Sequence, residues 1–337
     1  MNATPTAAPT TAASPAAATT PERRPSVVLA ALTYRRTELL QTLVEALAVQ
    51  AASVPEDVRL LVVDNNPGGD AREAVERLAA AGHPVHYAHE PEPGIAAGRN
   101  RALTAAAEAG DDLLVFIDDD ELPSPQWLAH LLRTWHEHPG ASGVVGSVVS
   151  SFDGAPEPWV AAGDFFRRRR LATGTPVHVA ATNNLLVDLH LVRRLGLRFD
   201  ARFGISGGSD TLFTRQLTSR GAPLVWCDEA EVTDVVPVAR TTRAWVLQRA
   251  LRSGNSWSRT SLVLAGPGPR SLPVRGRLLA DGGVRLLGGA VRWSAGVATR
   301  SLAQRARGVR TLARGTGMVT GACGWTYLEY RRKPTAG

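Results

Sequence analysis

Two cysteines, Cys227 and Cys323, are all that the 337 residues contain. That is too few for a disulfide framework or a cysteine-type zinc site, so nothing demands an oxidising compartment. No uninterrupted apolar window of 18 residues or more occurs, which argues against an ordinary membrane-spanning helix. Residues 1–25 lack the basic region and apolar run of a secretory signal. They are almost wholly Ala, Thr, Pro and Ser, and read as a disordered tail. GxGxxG and P-loop lysine motifs are absent too, so neither a dinucleotide oxidoreductase nor a P-loop phosphotransferase is favoured. Acids become scarce after Arg240, where arginine is abundant.

A hydrophobic content of 44% excludes global disorder. The length suits one large α/β domain with appendages, or two domains. Lys+Arg exceed Asp+Glu by 38 − 31 = 7, with the excess concentrated in the C-terminal stretch. Such asymmetry suggests an anionic partner there, phospholipid headgroups or nucleic acid. Nucleic acid would explain the arginines but none of the acids, so no nucleic-acid partner is expected.

Asp111-Asp112-Leu113-Leu114-Val115-Phe116-Ile117-Asp118-Asp119-Asp120-Glu121 is the stretch that organises the rest. Its apolar run makes a strand buried on both faces. It stops at four consecutive acids and a Leu-Pro-Ser-Pro that is not expected to continue a ladder. Four crowded carboxylates repel one another, and a hard divalent cation, Mg2+ or Mn2+, resolves that cost. Strand alternation would send Asp118 and Asp120 to one side and Asp119 to the other. A polar strand end capping the next helix is the competing reading.

Around this stretch the pattern predicts strands at 26–32, 59–63 and 85–88, with helices at 37–50 and 71–81 and a turn running into a helix across 90–102. Strand, helix, strand, helix, strand, helix, strand implies a parallel, doubly wound sheet. Ligands of such sheets bind beyond the carboxyl ends of the strands, and polar clusters at Thr33, Asp64 and Asp118 fall at those ends. An amphipathic helix follows at 127–138 and a strand at 144–150. Arg167 to Arg170 form a basic run, either a solvated loop or an anion-contacting one near substrate. Residues 177–188 read as a strand with Thr182-Asn183-Asn184 at its middle. Asp210 opens a helix, ordinarily a capping and dipole device.

In their order, these pieces resemble the inverting, nucleotide-sugar-dependent glycosyltransferases of family 2, which have the GT-A fold. The likeness rests on Leu32-Thr33-Tyr34-Arg35-Arg36, Val62-Val63-Asp64-Asn65, Gly98-Arg99-Asn100-Arg101-Ala102, Phe116-Ile117-Asp118-Asp119-Asp120, Gly207-Gly208-Ser209-Asp210-Thr211-Leu212 and Arg215-Gln216-Leu217. It covers roughly residues 26–256. The resemblance implies a GT-A-like doubly wound, mainly parallel α/β sheet flanked by helices. It implies a hexosyltransferase-type activity on a nucleoside-diphosphate sugar donor and a hydroxyl acceptor: a glycan, a glycolipid, which is a lipid-linked acceptor, or a secondary metabolite. Thr33, Arg35, Asp64, Arg99, Asn100, Asp118 and Asp119 would bind the donor. Asp118 and Asp120 match the DxD motif that holds Mg2+ or Mn2+, and Asp210 takes the place of the catalytic base.

Three departures matter. Ser209-Asp210 stands where relatives often have Glu-Asp. Asp234 occupies the place of a histidine metal ligand and would serve as a third one. The Gln-x-x-Arg-Trp of processive synthases is missing, so transfer of single sugars is expected. A non-catalytic nucleotide-sugar-binding protein of the same fold and a nucleotidyltransferase are the alternatives; the latter would want a Gly-rich signature after the first strand.

The expected division is a tail at 1–25, a catalytic domain at 26–260, a linker at 261–277 and a basic amphipathic helical extension at 278–337. Within the extension, residues 278–313 suit a helical hairpin lying on an anionic membrane leaflet, or a pair of helices packed on the domain. A cytoplasmic protein, peripheral on the inner face of the membrane, is the corresponding expectation.

Overall fold

In the first strand, β1 (Ser26–Thr33), neighbouring residues serve two different cores. Val27, Leu29 and Ala31 join one apolar cluster, Val28 and Ala30 another. A strand buried on both faces has no use for polar residues until it ends. β2 (Asp57–Asp64) and β4 (Leu113–Asp118) are buried likewise toward their ends, while β3 (Val85–His89), an edge strand, exposes His86, and the four run parallel in the order β3-β2-β1-β4. Between them come α1 (Thr37–Ala52), α2 (Arg72–Ala80) and α3 (Ile95–Ala109). Helices α1 and α2 cover one face through Leu40, Leu43, Leu47 and Val75, while α3 covers the other through Ala102, Leu103 and Ala106. The computed structural model describes residues 23–328. Most of the expected N-terminal tail therefore lies outside the described residues, as do residues 329–337.

The second half of the sheet is mixed. After β5 (Glu121–Pro123) come α4 (Trp127–Glu137), β6 (Gly143–Phe152), α5 (Pro158–Gly163), β7 (Pro176–Val177), β8 (Asn184–Asp188), α6 (Leu189–Arg194), α7 (Ser209–Ser219) and β9 (Leu224–Val236). The sheet continues β4-β8-β6-β9-β5, with β8 antiparallel to both neighbours and β6 parallel to β9. This mostly parallel sheet between helical layers, with a C-terminal helical part, is a GT-A-like doubly wound α/β fold.

Two local expectations change. Residues 177–188 do not form one strand: β7 pairs with β9, the chain then turns, and β8 enters the sheet elsewhere. Thr182 and Asn183 lie in that turn, where Asn183 reaches Glu121 at 2.6 Å. Nor does the Leu-Pro-Ser-Pro segment end all pairing, since Glu121–Pro123 bond to Asp234, Thr233 and Val232 of β9. Pro123 is tolerated because β5 is the edge strand.

Three helices complete the described chain: α8 (Arg243–Ala265), α9 (Ser271–Ala298) and α10 (Leu302–Ala322). Within the stretch set aside as a linker, the chain is non-α-helical only over 266–270; Pro273 sits in the first turn of α9, where its missing N–H costs nothing. α10 packs against α5, α8 and α9. The helices come very close. A Cβ on Gly254 would strike the Arg314 carbonyl, and one on Gly317 the Leu251 carbonyl.

Candidate active site

Strand register gathers the first site residues. Thr33 of β1 lies beside Asp64 of β2, and Leu32 beside Asp118 of β4, so all three polar groups share the carboxyl edge of the parallel strands. β4 ends at Asp118, and Asp119 and Asp120 form a turn. Alternation therefore does not carry through the acid run. Asp119 and Asp120 instead meet at one guanidinium nitrogen, Arg36 Nη1, at 3.0 and 2.9 Å. Arg240 approaches Asp120 from the other side at 3.6 Å.

The electrostatics record how crowded this edge is. Burial pushes the Asp118 carboxyl up to about 6; Arg99 opposes the rise, and the charges of Asp120, Asp119 and Asp210 add to it. Asp210, at the start of α7, is near enough for its charge to be felt at Asp118. Glu121 is raised well above the ordinary glutamate range by burial and by Asp118, with Asp234 contributing. Arg36 loses to burial but gains more from Asp119 and Asp120, and ends above the usual arginine value. A low-dielectric wall makes each unmatched charge here cost more than it would in water.

Other predicted residues have visible duties. Arg99 donates to Ser209 Oγ at 2.8 Å, linking α3 to the Asp210 turn. Gly207 and Gly208, at φ 73° and 97°, allow that turn to double back before α7. Asp210 Oδ1 accepts the Thr211 N–H at 2.7 Å, and Oδ2 has no hydrogen-bond partner among the described residues. Asp64 is buried and satisfied within its own loop, by Asn66 N, Ala71 N and the Tyr87 hydroxyl. Burial and the Asp64 charge push that hydroxyl up to about 12. Asn100 is spent on both the N–H and the C=O of Phe199. Arg35 is exposed beside Asn66. The buried Thr33 Oγ1 has no well-formed hydrogen bond among the described residues, though it lies near enough to Asp119 to oppose the rise of that carboxyl.

The model of the family described as Glycosyl transferase family 2 matches residues 28–196, half of the chain. This chain belongs to glycosyltransferase family 2. Over 230 residues it is 34% identical to the succinoglycan biosynthesis protein ExoM of Rhizobium meliloti, a likeness taking in 67% of this chain and 72% of that one. Among solved structures, it is similar to the mannosyltransferase PcManGT from Pyrobaculum calidifontis in complex with GDP-Man and Mn2+. The TM-score is 0.57 at 19% identity, over 89% of this chain and 88% of that one; such identity speaks for the fold alone.

The family 2 site raises the question of a divalent cation. Among the described residues no group of three or more His, Cys, Asp or Glu side chains is gathered closely enough to hold one. Asp234 is engaged elsewhere, in an ion pair with Arg168, whose Nε also donates to Ser150 Oγ at 3.2 Å. What remains is Asp118 and Asp120, hard carboxylate donors, of which Asp120 would exchange its arginine partners Arg36 and Arg240 for the cation. Mg2+-type sites commonly use one or two carboxylates and complete the shell with substrate phosphates and water. The donor set fits such a cation.

Several contributors to this family 2 site were not singled out from sequence. Arg36 stood next to Arg35 but had no assigned role. Glu121 was one of the four acids, yet its buried partner Asn183 lies 62 residues away. Arg168 belonged to the basic run, and its partner is the chain's own Asp234, 66 residues on. No local pattern names such partners.

Proposed function

We propose that this glycosyltransferase moves one sugar at a time from a nucleoside-diphosphate sugar to an acceptor hydroxyl, with inversion, using Mg2+ or Mn2+. The observation that carries the reading is that Arg99, near the start of α3, donates to Ser209 Oγ at 2.8 Å and so ties the turn bearing Asp210 to the carboxyl edge of the parallel strands, where β4 ends at Asp118. Asp118 and Asp120 would hold the cation, whose chemistry when bound is to offset the negative charge of the departing diphosphate. Asp210 takes the acceptor proton on Oδ2, while its other oxygen is pinned by the first turn of α7. A single in-line displacement opposite the leaving group inverts the anomeric centre, by analogy with inverting hydrolases. Arg36 orients Asp119 and Asp120 through a shared ion pair, and Arg99 steadies the Ser209-Asp210 turn.

Thr33 and Arg35 border the donor beyond β1, with Asp64 and Asn100 shaping that border from behind. Asp234 then acts as the partner of Arg168 and is a metal ligand only if that pair opens. The relative's name points to a polysaccharide as the product class, and the solved neighbour's title supports a nucleotide sugar and a divalent metal. The catalytic domain takes in the sheet, with the helices after α8 as its extension. We place the enzyme at the cytoplasmic face of the membrane: no described helix is long and apolar enough to cross one, yet α9 exposes Val284, Leu287 and Val291 at 69%, 72% and 70%. Arg285 and Arg292 flank that apolar stripe, the pattern of a helix lying in an anionic interface.

A thermal-shift screen with Mn2+ and a panel of nucleoside diphosphates tests the donor half of this reading. One nucleotide should raise the melting temperature in a Mn2+-dependent way, and Asp120→Asn should erase the Mn2+-dependent part. A shift that persists unchanged in Asp120→Asn contradicts the assignment.

A further inference from the structure

Beside the acidic edge the chain builds a second charged cavity of the opposite sign. It measures about 290 Å3 and lies between the 164–171 loop, α8 and α10. Arg168 of the loop, Arg249 of α8 and Arg310 and Arg314 of α10 line it, with Phe166 and Trp245. Arg168 has its counter-charge in Asp234. The other three have no ion pair among the described residues. Arg249 lies over the Trp245 ring at 5.0 Å and Arg310 over Phe165 at 5.3 Å. Arg314 Nε is buried with no hydrogen-bond partner. Burial holds Arg249, Arg310 and Arg314 below the ordinary arginine range, and Arg168 pushes Arg249 further down, to about 10.

Such an arrangement costs stability as it stands. Desolvated guanidiniums repel one another, and a buried unpaired donor forfeits its hydrogen bonds to water. A multivalent anion removes both costs. Arginine forks suit phosphate oxygens in a bidentate fashion, and a single carboxylate would leave two of the three unpaired cations uncompensated.

The cavity also has a place relative to the reaction. Arg168 joins it to Asp234, which β5 and β9 set opposite Glu121, next to Asp118. On its outer side it shares Phe165, Phe166 and Arg168 with an apolar groove of about 580 Å3 that includes Val149, Phe152 and Val160. We propose that the arginine cavity binds a phosphate or diphosphate group carried by the acceptor, holding the acceptor on the Asp234 side of the acidic edge. That the anion belongs to the acceptor rests on the glycosyltransferase reading; that the cavity takes a phosphate does not.

Calorimetric titration of the full chain with inorganic pyrophosphate in metal-free buffer is the test. Wild type should bind, and Arg249→Gln and Arg314→Gln should each weaken binding at least tenfold. Both variants should melt at or above the wild-type temperature, because each removes an unpaired buried charge, whereas an arginine with a structural role would lower it. The Mn2+-dependent response to nucleoside diphosphate should be unchanged in both, which keeps this test separate from that of the donor site. Should either variant fail to fold, Arg310→Gln on the facing wall serves the same comparison. Absence of pyrophosphate binding to wild type, equal binding by the variants, or displacement of pyrophosphate by the nucleoside diphosphate would each overturn the proposal. Geranyl diphosphate distinguishes the sources: binding tighter than pyrophosphate assigns a lipid-borne phosphate seated partly in the apolar groove. Equal binding assigns a phosphate on a water-soluble acceptor.

Discussion

The sheet and the last two helices bury opposite kinds of residue. Inside the sheet layers lie Phe116, Trp127, Phe203 and Phe213, all essentially without solvent exposure. Between α8, α9 and α10 the inside mixes Gly254, Gly282, Gly289, Gly315 and Gly317 with only a small apolar cluster around Leu278 and Met318, while Leu272, Val284, Leu287 and Val291 of α9 face outward. Water drives the first arrangement, since each Å2 of apolar surface removed from it yields about 25 cal/mol. The second leaves apolar side chains exposed on α9 and relies on close approach of helix backbones through small residues. One chain thus combines two modes of packing.

Replacing a buried glycine should break the second region while sparing the first. Gly317→Leu drives a side chain into the Leu251 carbonyl, so unfolding should become easier by about 3 kcal/mol. Circular dichroism with urea titration would reveal the loss; a wild-type midpoint would mean that the helices are not packed this closely. Next in size, Leu287→Asp on the outer face of α9 should reduce flotation with phosphatidylglycerol vesicles about tenfold, since a buried leucine is worth roughly 1.5–3 kcal/mol. Melting should not change, and undiminished flotation would show that this face is not the one in contact.

The sheet region makes its own prediction through pH. Burial tends to raise the Asp112 carboxyl, but the Ser26 N–H, His190, Arg23 and the Ser26 hydroxyl outweigh it and hold it well below the ordinary aspartate range. A carboxylate depressed in the folded state contributes stability that is fully present above its unfolded pKa of about 3.9 and lost as the pH falls below it. Wild type should therefore lose melting temperature between pH 5 and pH 3, and Asp112→Asn should lose less; parallel curves would remove Asp112 as a contributor. Smallest of all, Gly288→Ala on the open side of α9, where an added Cβ meets nothing within 4 Å, should stabilise by about 0.5–1 kcal/mol.

The parallel half of the fold was legible because β1, β2 and β4 each carry a continuous apolar run ending in a polar cluster, while β3, Val-His-Tyr-Ala-His, was legible mainly from its place between two helices. Phe116-Ile117-Asp118 shows strand, burial and site within three residues. The stretch at 177–188 misled because its polar residues bond across the sheet. Asn184 donates to Ser147 and Ala230 and accepts from Trp127, partners that no local periodicity reveals. For the same reason Asn100 read as a pocket residue, although its amide clamps Phe199, 99 positions on. Side-chain alternation failed at Asp119 because it applies only while a strand lasts, and β4 ends one residue earlier.

In the proposed mechanism Asp210 supplies the base, and removing its basicity alone is the sharpest test. Asp210→Asn keeps the shape and can still accept the Thr211 N–H, so the fold and the nucleotide response with Mn2+ should match wild type. Sugar transfer to a saccharide acceptor, followed by release of nucleoside diphosphate, should fall by about 10²–10⁴-fold. Turnover within a few fold of wild type, at equal donor affinity, would show that the proton leaves by another route and that α7 does not supply the base.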